Sequence, residues 1–448
     1  MTRLSDIVQS LDRQILGDPA MNSELFDRLL AQQRELGLLH GDRPTCPFLR
    51  PHILSRSQYD EIAAASETIA GAFEKLVARA LNDDVLMSEL GLTSAEEKMA
   101  RIDPGYRRLC VTSRLDAYLT DAGFQFLEFN AENPAGISDQ MQLEKILFKL
   151  PHMKTFLREH EHWSPRPHER LLESLLQVYR EWGGVEERPQ IAIVDWEGVS
   201  TASEFEVLKQ YFESAGHPTA IIDPRALEYD GKQLSGARFR VDVLYKRVII
   251  HEFLERSAAD HPLARAYSDG NICMANSFRT KVAHKKAGFA VLSDPRYSDL
   301  FTADELDLIR RHIPWTRRVG EGTTSFAGAD GDLVEIIKSE RERLVLKPND
   351  DYGGHGVVIG WETTPEDWND SIANAVARDY VVQERVAVKK VSIPALAERV
   401  ETEEMLVDFN PFLFHNRVEG GLVRLSTSSL CNVSSGGGQT ALLVLEDS

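Results

Sequence analysis

The segment around residues 112–131 contains two carboxylates, an amide and a guanidinium. The spacing of these groups is typical of a cation site that lies beside a phosphate. Apolar and polar residues alternate on both sides of residues 121–123, which predicts a β-hairpin with a three-residue loop. In that register Asp116 lies opposite Glu128 and Arg114 opposite Asn130, and all four side chains share one face. Because opposed carboxylates repel each other, the pattern indicates a cation between them. Oxygen ligands select a hard ion such as Mg²⁺, and Arg114 is then placed to meet a phosphate.

The other face of the same hairpin carries apolar residues and predicts a contact with the core. The residues expected there are Leu115, Ala117, Leu127 and Phe129. The polar face also has a simpler interpretation, as a solvated surface on which Arg114 pairs with an acidic neighbour. The sequence leaves both interpretations of the polar face open.

A second motif joins a lysine to a glycine-rich loop between two predicted strands. Lys347 ends the first strand, and Gly353, Gly354 and Gly356 precede the second. Glycines allow backbone N–H groups to approach phosphate oxygens, and a lysine adds a point charge. The loop is neither a Walker loop nor a dinucleotide fingerprint, because GxxxxGK[ST] is absent and the loop leads into a strand. A plain tight turn is the alternative interpretation.

Weaker candidates lie at three further places. Gln383 and Glu384 end an apolar strand, where they could bind adenine or ribose. Lys285 and Lys286 lie in a cation-rich helix that begins near residue 276, and one of them could contact phosphates. Arg424 is expected to point outward from a predicted strand. Each place also has an ordinary interpretation. The Gln383–Glu384 pair could end a strand at the surface, the two lysines could lie on a solvated basic face, and Arg424 could belong to a plain turn.

Charge and cysteine usage exclude several functional classes. The 448 residues carry 70 acidic and 51 basic side chains, a net charge of −19. This balance disfavours nucleic acid and anionic membranes as partners, although it is compatible with a local basic pocket. Four scattered cysteines without a CxxC pair indicate a reducing compartment. Neither a secretory h-region nor a membrane-spanning run is visible, so a cytoplasmic protein is expected.

Shifts in pattern divide the chain into four expected regions. Residues 1–110 are expected to be mainly helical, and residues 111–183 to contain the hairpin and further helices. Residues 184–275 alternate strands and helices at the spacing of a small parallel α/β unit. Residues 276–448 change to an α+β pattern that includes the lysine–glycine motif. The expected fold is therefore a multidomain mixture of α/β and α+β.

Three motifs taken together resemble the ATP-grasp superfamily. They are the Arg-x-Asp and Glu-x-Asn pairs, the Lys-Pro strand with its Gly-Gly-x-Gly loop, and the Gln-Glu strand end. The resemblance covers residues 105–445 and is clearest in four stretches: 114–130, 313–316, 346–360 and 432–438. In most ATP-grasp enzymes the metal carboxylates follow the nucleotide lysines, whereas here they come first. That order is similar to the circularly permuted branch that includes glutathionylspermidine synthetase, of which only the synthetase part is matched. The α/β unit resembles the pre-ATP-grasp domain.

The resemblance implies a role for each motif. Mg²⁺ would be held by Asp116, Glu128 and Asn130, and Arg114 would contact the transferring γ-phosphoryl group. ATP would be bound by the remaining candidates: Lys347, one of Lys285 and Lys286, Gly353, Gly354, Gly356, Gln383, Glu384 and Arg424.

These roles imply a ligase that joins a carboxylate to an amine, on an amino acid or small peptide, through an acyl phosphate. Two alternatives stay open: an ATP-dependent phosphotransferase that uses the same site, and a nucleotide-binding partner subunit without turnover. The intact set of Arg114, Asp116, Glu128 and Asn130 argues against the second alternative. The sequence does not identify the acid or the amine, and it leaves a homodimer open.

Overall fold

The structure of the protein is a computed structural model that describes residues 4–258, 260–396, 400–429 and 437–447. Residues 4–100 contain five helices and three short strands. In chain order they are α1 (Leu4–Leu16), α2 (Ser23–Glu35), β1 (Leu39–His40), β2 (Arg43–Pro44), β3 (His52–Ser55), α3 (Arg56–Ala80), α4 (Asp84–Glu89) and α5 (Ser94–Ala100).

Helix α3 packs on the centre of the molecule because one of its faces is apolar. Ile62, Ile69 and Phe73 are buried along that face at helical spacing. The helix begins with a capping box, in which Ser55 accepts from the N–H of Gln58 and the Gln58 side chain accepts from the N–H of Ser55. The cap fixes the start of the helix, and the apolar face fixes what it packs against.

Residues 112–182 contain the predicted hairpin and three helices. The elements are β4 (Thr112–Thr120), β5 (Gly123–Asn130), α6 (Asp139–Leu147), α7 (Pro151–Glu159), β6 (His162–Trp163) and α8 (Pro167–Trp182). Strands β4 and β5 are antiparallel, with Arg114 opposite Asn130 and Asp116 opposite Glu128. The predicted register of the four polar residues is therefore confirmed.

The hairpin reaches this register through a turn and a bulge that the sequence analysis did not predict. Pairing continues to Thr120 and Gly123, so the loop has two residues rather than three. Leu127 is the extra residue of a β-bulge, which shifts the pairing by one before Glu128. The prediction that Leu127 lies in the core is wrong, because the bulge leaves it half-buried and the core position goes to Phe126.

Residues 191–275 form the predicted parallel unit. The elements are β7 (Ile191–Val194), α9 (Ala202–Ser214), β8 (Thr219–Ile222), β9 (Leu227–Tyr229), β10 (Leu234–Gly236), β11 (Phe239–Arg240), β12 (Val243–Lys246), α10 (Ile250–Arg256), α11 (Pro262–Ser268) and β13 (Cys273–Ala275). Four strands pair in the order β13-β12-β7-β8, all parallel. Strands β9, β10 and β11 form a small antiparallel sheet.

Residues 281–384 change to antiparallel sheets with helices. The elements are α12 (Lys281–His284), α13 (Ala287–Leu292), α14 (Ala303–His312), β14 (Thr316–Arg318), β15 (Thr323–Phe326), β16 (Ala329–Asp332), α15 (Leu333–Ser339), β17 (Leu344–Pro348), β18 (Val358–Ile359), α16 (Pro365–Ala377) and β19 (Tyr380–Glu384). The main sheet has the order β14-β19-β17-β18. Short 3₁₀ helices occur at Pro224–Ala226, Phe278–Thr280, Pro295–Leu300, Arg341–Arg343 and Gly360–Glu362.

The C-terminal strands complete the sheet that contains the hairpin. They are β20 (Lys390–Leu396), β21 (Val400–Phe414), β22 (Arg417–Ser426), β23 (Gly438–Thr440) and β24 (Leu442–Leu445). The sheet order is β23-β22-β21-β4-β5, with β20 paired to β21, while β24 pairs with β3 and β6. Residues 432–436, part of the last stretch of the family resemblance, lie outside the described residues.

One buried amide joins the hairpin to the parallel unit. The Oδ1 atom of Asn276 accepts from the N–H groups of Val111 and Thr112. Its Nδ2 atom donates to the carbonyl oxygens of Thr112, Ala131 and Glu132. Because Asn276 follows β13 directly, these bonds hold the open end of the hairpin at the edge of the parallel sheet.

Candidate active site

The polar face of the hairpin is centred on Asp116, with its two β4 residues buried and its two β5 residues half-buried. Arg114 donates to Asp116 through Nε at 2.7 Å and Nη2 at 3.1 Å, and Arg424 donates through Nη2 at 2.7 Å. The Nδ2 atom of Asn130 donates at 3.0 Å. Arg114 and Asp116 are only 7% and 4% exposed. The interpretation of this face as a solvated surface with an Arg–Asp pair is therefore wrong.

A second carboxylate lies beside Asp116 and shares the same amide. The Nδ2 atom of Asn130 also donates to Oε1 of Glu128 at 3.0 Å. Burial by itself raises the pKa of Glu128, but the charges of Lys286 and Lys347 and the Asn130 hydrogen bond outweigh it and lower the pKa to about 2. Glu128 is therefore an ionised acceptor near neutral pH.

The oxygen atoms of Asp116, Glu128 and Asn130 suit a hard cation, provided that Asp116 gives up one of its hydrogen bonds. Glu128 and the amide oxygen of Asn130 are oxygen ligands of the type that Mg²⁺ prefers. The two oxygens of Asp116 already accept four hydrogen bonds, which is about the capacity of a carboxylate. Asp116 can thus join a metal only if a guanidinium or the Asn130 amide group moves away.

Lys347 approaches the hairpin from β17 of the neighbouring sheet. Its Nζ atom donates to Oε1 of Gln383 at 2.6 Å. Burial lowers the pKa of Lys347 to about 8, although the nearby Glu128 carboxylate opposes this shift. The Nε2 atom of Gln383 donates to Oγ1 of Thr316 at 3.1 Å and to the carbonyl of Leu127 at 3.4 Å. Gln383 therefore orients Lys347 and links the sheet to the bulge of the hairpin.

Glu384, the other residue of this strand end, points elsewhere. It is half-buried and lies 3.0 Å from Nη2 of Arg343. Gln383, in contrast, is 3% exposed, so the surface strand end is the wrong interpretation for Gln383. The structure separates the two adjacent candidates: in its described part Gln383 hydrogen-bonds Lys347, whereas Glu384 pairs with Arg343.

Lys285 and Lys286 are both buried, so a solvated basic face is excluded at these positions. The Nζ atom of Lys286 lies 3.5 Å from Glu128 and donates to the carbonyl of Asp351 at 2.7 Å. Lys285 instead lies 2.6 Å from Asp350 and 3.0 Å from Glu96. Only one of the two adjacent lysines therefore faces the hairpin.

The glycine-rich loop connects β17 to β18 as an antiparallel hairpin. Gly353, Gly354 and Gly356 have φ values of 66°, 79° and 68°, in the left-handed region that favours glycine. A Cβ at Gly356 would lie 2.8 Å from Cγ of Pro348. The Tyr352 hydroxyl in the loop donates to Glu252 of α10 at 2.9 Å. The loop thus extends from Lys347 to the parallel unit.

Strand β21 contributes two residues that the sequence analysis missed. Asp408 accepts from Nε of Arg424 at 2.9 Å and also from its Nη2 atom. Burial raises the pKa of Asp408 to about 7. The Oδ1 atom of Asn410 accepts from the N–H of Ala117 at 3.0 Å. The polar–apolar alternation of residues 407–410 is the signal that could have shown these two side chains on one face of a strand.

These side chains form one group, which we call the hairpin cluster: Arg114, Asp116, Glu128, Asn130, Lys286, Lys347, Asp408 and Arg424. Its four cations outnumber its three carboxylates, although the whole chain carries a net charge of −19. A local excess of positive charge in a largely buried cluster favours an anionic ligand. The hairpin cluster can therefore bind phosphate groups, with or without a metal ion.

No helix in the described part of the chain is long and apolar enough to cross a membrane. No protein-family model matches the sequence. A protein provisionally named glutamate–cysteine ligase 2-3, from Frankia alni, is 28% identical over 170 residues, which is 35% of this chain and 18% of that protein. A second, provisionally named glutamate–cysteine ligase 2-2, from Frankia casuarinae, is 26% identical over 237 residues, 49% of this chain and 26% of that protein. The aligned parts thus span about a fifth to a quarter of these relatives.

The fold itself has a much more extensive likeness. A glutathione synthetase-like effector from Globodera pallida superimposes with a TM-score of 0.62 over 96% of this chain and 98% of its own, at 13% identity. These relatives do not support the specific glutathionylspermidine synthetase branch, because their names point to glutamate–cysteine ligation and to glutathione synthetase. The chain therefore has a mixed α/β, multidomain fold, which it shares with the glutathione synthetase-like effector.

Proposed function

We propose that this chain is an ATP-dependent carboxylate–amine ligase that acts on an amino acid or small peptide. The observation that carries the proposal is the hairpin cluster, in which Lys286, Lys347 and Arg424 lie near the Glu128 carboxylate. Arg114 is paired with the neighbouring Asp116, where the two sheets meet. The ligase names of the two Frankia relatives and the fold likeness support the same reaction class. The order of motifs also leads us to propose the circularly permuted ATP-grasp arrangement, with the four regions expected above.

In this proposal the lysines and the loop bind the nucleotide. Lys347 and Lys286 contact phosphate oxygens, and the loop of Gly353, Gly354 and Gly356 covers them with backbone N–H groups. Glu128 and Asn130, with Asp116, would hold Mg²⁺, which neutralises phosphate charge when bound. Lys286 is the better candidate of the adjacent pair, because Lys285 is committed to Asp350 and Glu96.

Arg114 is the proposed catalytic residue. A substrate carboxylate oxygen attacks the γ-phosphorus, the bond to the β-phosphate bridging oxygen breaks, and ADP leaves. The planar guanidinium of Arg114 stabilises the equatorial oxygens of the phosphoryl group in flight. The amine then attacks the acyl carbon, phosphate leaves, and the nitrogen gives up its proton. The products are an amide, ADP and phosphate.

The test is an ADP-release assay over pairs of amino acids, with mass spectrometry of the products. The panel includes glutamate with cysteine, because the Frankia relatives carry that name. ADP together with an amide supports the ligase. ADP with a stable phosphorylated substrate would show a phosphotransferase, and nucleotide binding without ADP release would show a non-catalytic subunit.

A further inference from the structure

A second group of buried charges lies beside the hairpin cluster, and the proposed chemistry does not use it. Its centre is Lys281, whose side chain is 0% exposed. The Lys281 ammonium lies 2.8 Å from Oε1 of Glu132, 2.6 Å from Oδ1 of Asp350 and 3.5 Å from Oε1 of Glu96. We call Glu96, Glu132, Lys281, Lys285 and Asp350 the Lys281 network. It holds three carboxylates around two ammonium groups.

The three carboxylates belong to separate parts of the fold. Glu132 lies two residues after the end of β5, so its position is tied to that of the β4–β5 hairpin, which we call the carboxylate hairpin. Asp350 lies two residues after β17, at the base of the glycine-rich loop. Glu96 lies in α5 of the N-terminal region. An ammonium that contacts all three therefore ties together segments that the sheets do not join directly.

Lys281 and Lys285 do not make the same connection. Both contact Asp350 and Glu96, but of the two lysines only Lys281 has a contact to Glu132 in the described structure. Burial by itself lowers the pKa of Lys281, and its three carboxylate neighbours reverse the effect and raise the pKa above its usual range. Lys281 is thus a permanent internal cation between the hairpin and the loop.

The same contacts argue against a metal ion at this place. Glu132, His284 and Asp350 have ligand atoms within 4.8 Å of one another, a spacing that suits a metal. The Lys281 ammonium already contacts the carboxylates of Glu132 and Asp350. A metal there would lie next to a buried positive charge, so the ammonium itself is the cation of this site.

The loop that Asp350 begins is held at further points. Lys286 donates to the carbonyl of Asp351, and the Tyr352 hydroxyl donates to Glu252. Within the loop, the N–H of His355 donates to Tyr352 and the N–H of Val357 donates to Gly354, each at 3.3 Å. At the base of the loop Asn349 is buried and Asp350 is half-buried and ion-paired, whereas Gly353 and Gly356 are exposed.

We propose that Lys281 is a positioning residue, which holds the base of the glycine-rich loop at a fixed spacing from the carboxylate hairpin. Its consequence for catalysis rests on the proposed function, because the loop and the hairpin are the two sides of the proposed ATP site. The structural part of the proposal, that Lys281 orders the loop, does not depend on any activity.

The first experiment measures amide hydrogen exchange of residues 351–357 in the nucleotide-free protein. The variant is Lys281→Met with Glu132→Gln, which removes one positive and one negative charge together and so keeps the net charge of the Lys281 network unchanged. We expect the amides of His355 and Val357 to exchange about tenfold faster, since a charge-assisted contact at the base of the loop is lost. Lys75→Met is the matched control, because it removes an exposed lysine that pairs with Glu305.

A second variant keeps the proposal testable if the double variant does not fold. Asp350→Asn changes one carboxylate of low exposure, keeps its shape and leaves Lys281 in place. It should also increase loop exchange, by a smaller factor than the double variant. Wild-type exchange of the loop in both variants, or in Asp350→Asn alone if the double variant does not fold, would overturn the positioning role.

Kinetics then separate positioning from a general loss of structure. In the double variant we expect KM for ATP to rise about tenfold, while KM for the amino-acid substrates stays within twofold of wild type. An equal rise in every KM would contradict a role at the nucleotide loop. If the wild-type protein shows no ADP release, the proposed function fails, but the exchange experiment still decides whether Lys281 orders the loop.

Discussion

The hairpin cluster and the Lys281 network use the same residue types for different purposes. In the Lys281 network three carboxylates surround two lysines, and the positive charges are fully committed to internal partners. In the hairpin cluster four cations face three carboxylates, and Lys347 has an uncharged hydrogen-bond partner, Gln383. Buried charge alone therefore does not mark a ligand site. The hairpin cluster differs because its net charge is positive and Lys347 hydrogen-bonds an uncharged side chain, so that an anionic ligand has a cation to meet.

The largest expected difference between the two groups is in stability. Lys281→Met should lower the free energy of unfolding by about 3–5 kcal/mol, because it leaves the buried Glu132 carboxylate without its ammonium partner, whereas Asp350 keeps Lys285. Lys347→Ala should change the same quantity much less, because it removes a lysine whose burial already disfavours its charge. Denaturant titration of both variants checks the contrast. Equal losses would remove the distinction between the two groups.

The next effect is on turnover and concerns Glu128. Glu128→Gln should reduce ADP formation at least about a hundredfold with the fold intact, because it removes negative charge where a metal and the phosphates meet. Glu305→Gln, which changes a half-buried carboxylate paired with the exposed Lys75, is the matched control. Steady-state ADP release at saturating Mg²⁺ is the measurement. Near-wild-type turnover would contradict the proposal that Glu128 holds a metal ion in the hairpin cluster.

Arg114 tests whether the hairpin cluster acts on the transition state. Arg114→Lys should lower kcat by about a hundredfold while the Kd of ATP changes only a few-fold, because lysine keeps the charge but loses the planar fork. ATP affinity is measured by calorimetry, separately from kinetics. A variant whose only defect is ATP affinity would make Arg114 a binding residue.

Lys347 tests whether the excess charge recruits phosphate. Lys347→Ala should weaken ATP binding roughly tenfold to a hundredfold, the equivalent of about 1.5–3 kcal/mol for a charge-assisted contact. Calorimetry of the nucleotide complex gives the dissociation constant directly. An unchanged constant would refute the role of Lys347.

The smallest effect is a pH dependence with a defined sign. The pKa of Lys347 is lowered to about 8 in the folded protein, so the amine loses its proton as pH rises through that value. ATP affinity should therefore fall as pH rises from about 7 to 9, and Lys347→Arg should flatten this profile because arginine stays charged. Stability should change in the opposite direction. The unfolded chain keeps the proton up to about pH 10.4, so the contribution of Lys347 to stability rises with pH above 8. Equal slopes of ATP affinity in the wild type and the arginine variant would show that another group titrates.

The sequence alone determined the local partners within the hairpin. Alternation of side chains puts Arg114, Asp116, Glu128 and Asn130 on one face of a two-stranded unit, and this face was predicted correctly. The details of the turn were not, because alternation does not report a bulge. The loop is one residue shorter than expected, which shifts the pairing by one position, and the extra residue Leu127 shifts it back. The register was therefore right although the loop and one core residue were wrong.

Only the tertiary structure decided which distant residues complete the site. Arg424 lies 308 positions from Asp116 in the chain, and its contact depends on β21 and β22 pairing beside β4. Lys285 and Lys286 are adjacent, so no composition or spacing rule separates them, but they point to different carboxylates once α12 and α13 are packed. Local periodicity fixes which face a side chain occupies. The partner across that face is set by long-range packing, which a single sequence does not encode in any short pattern.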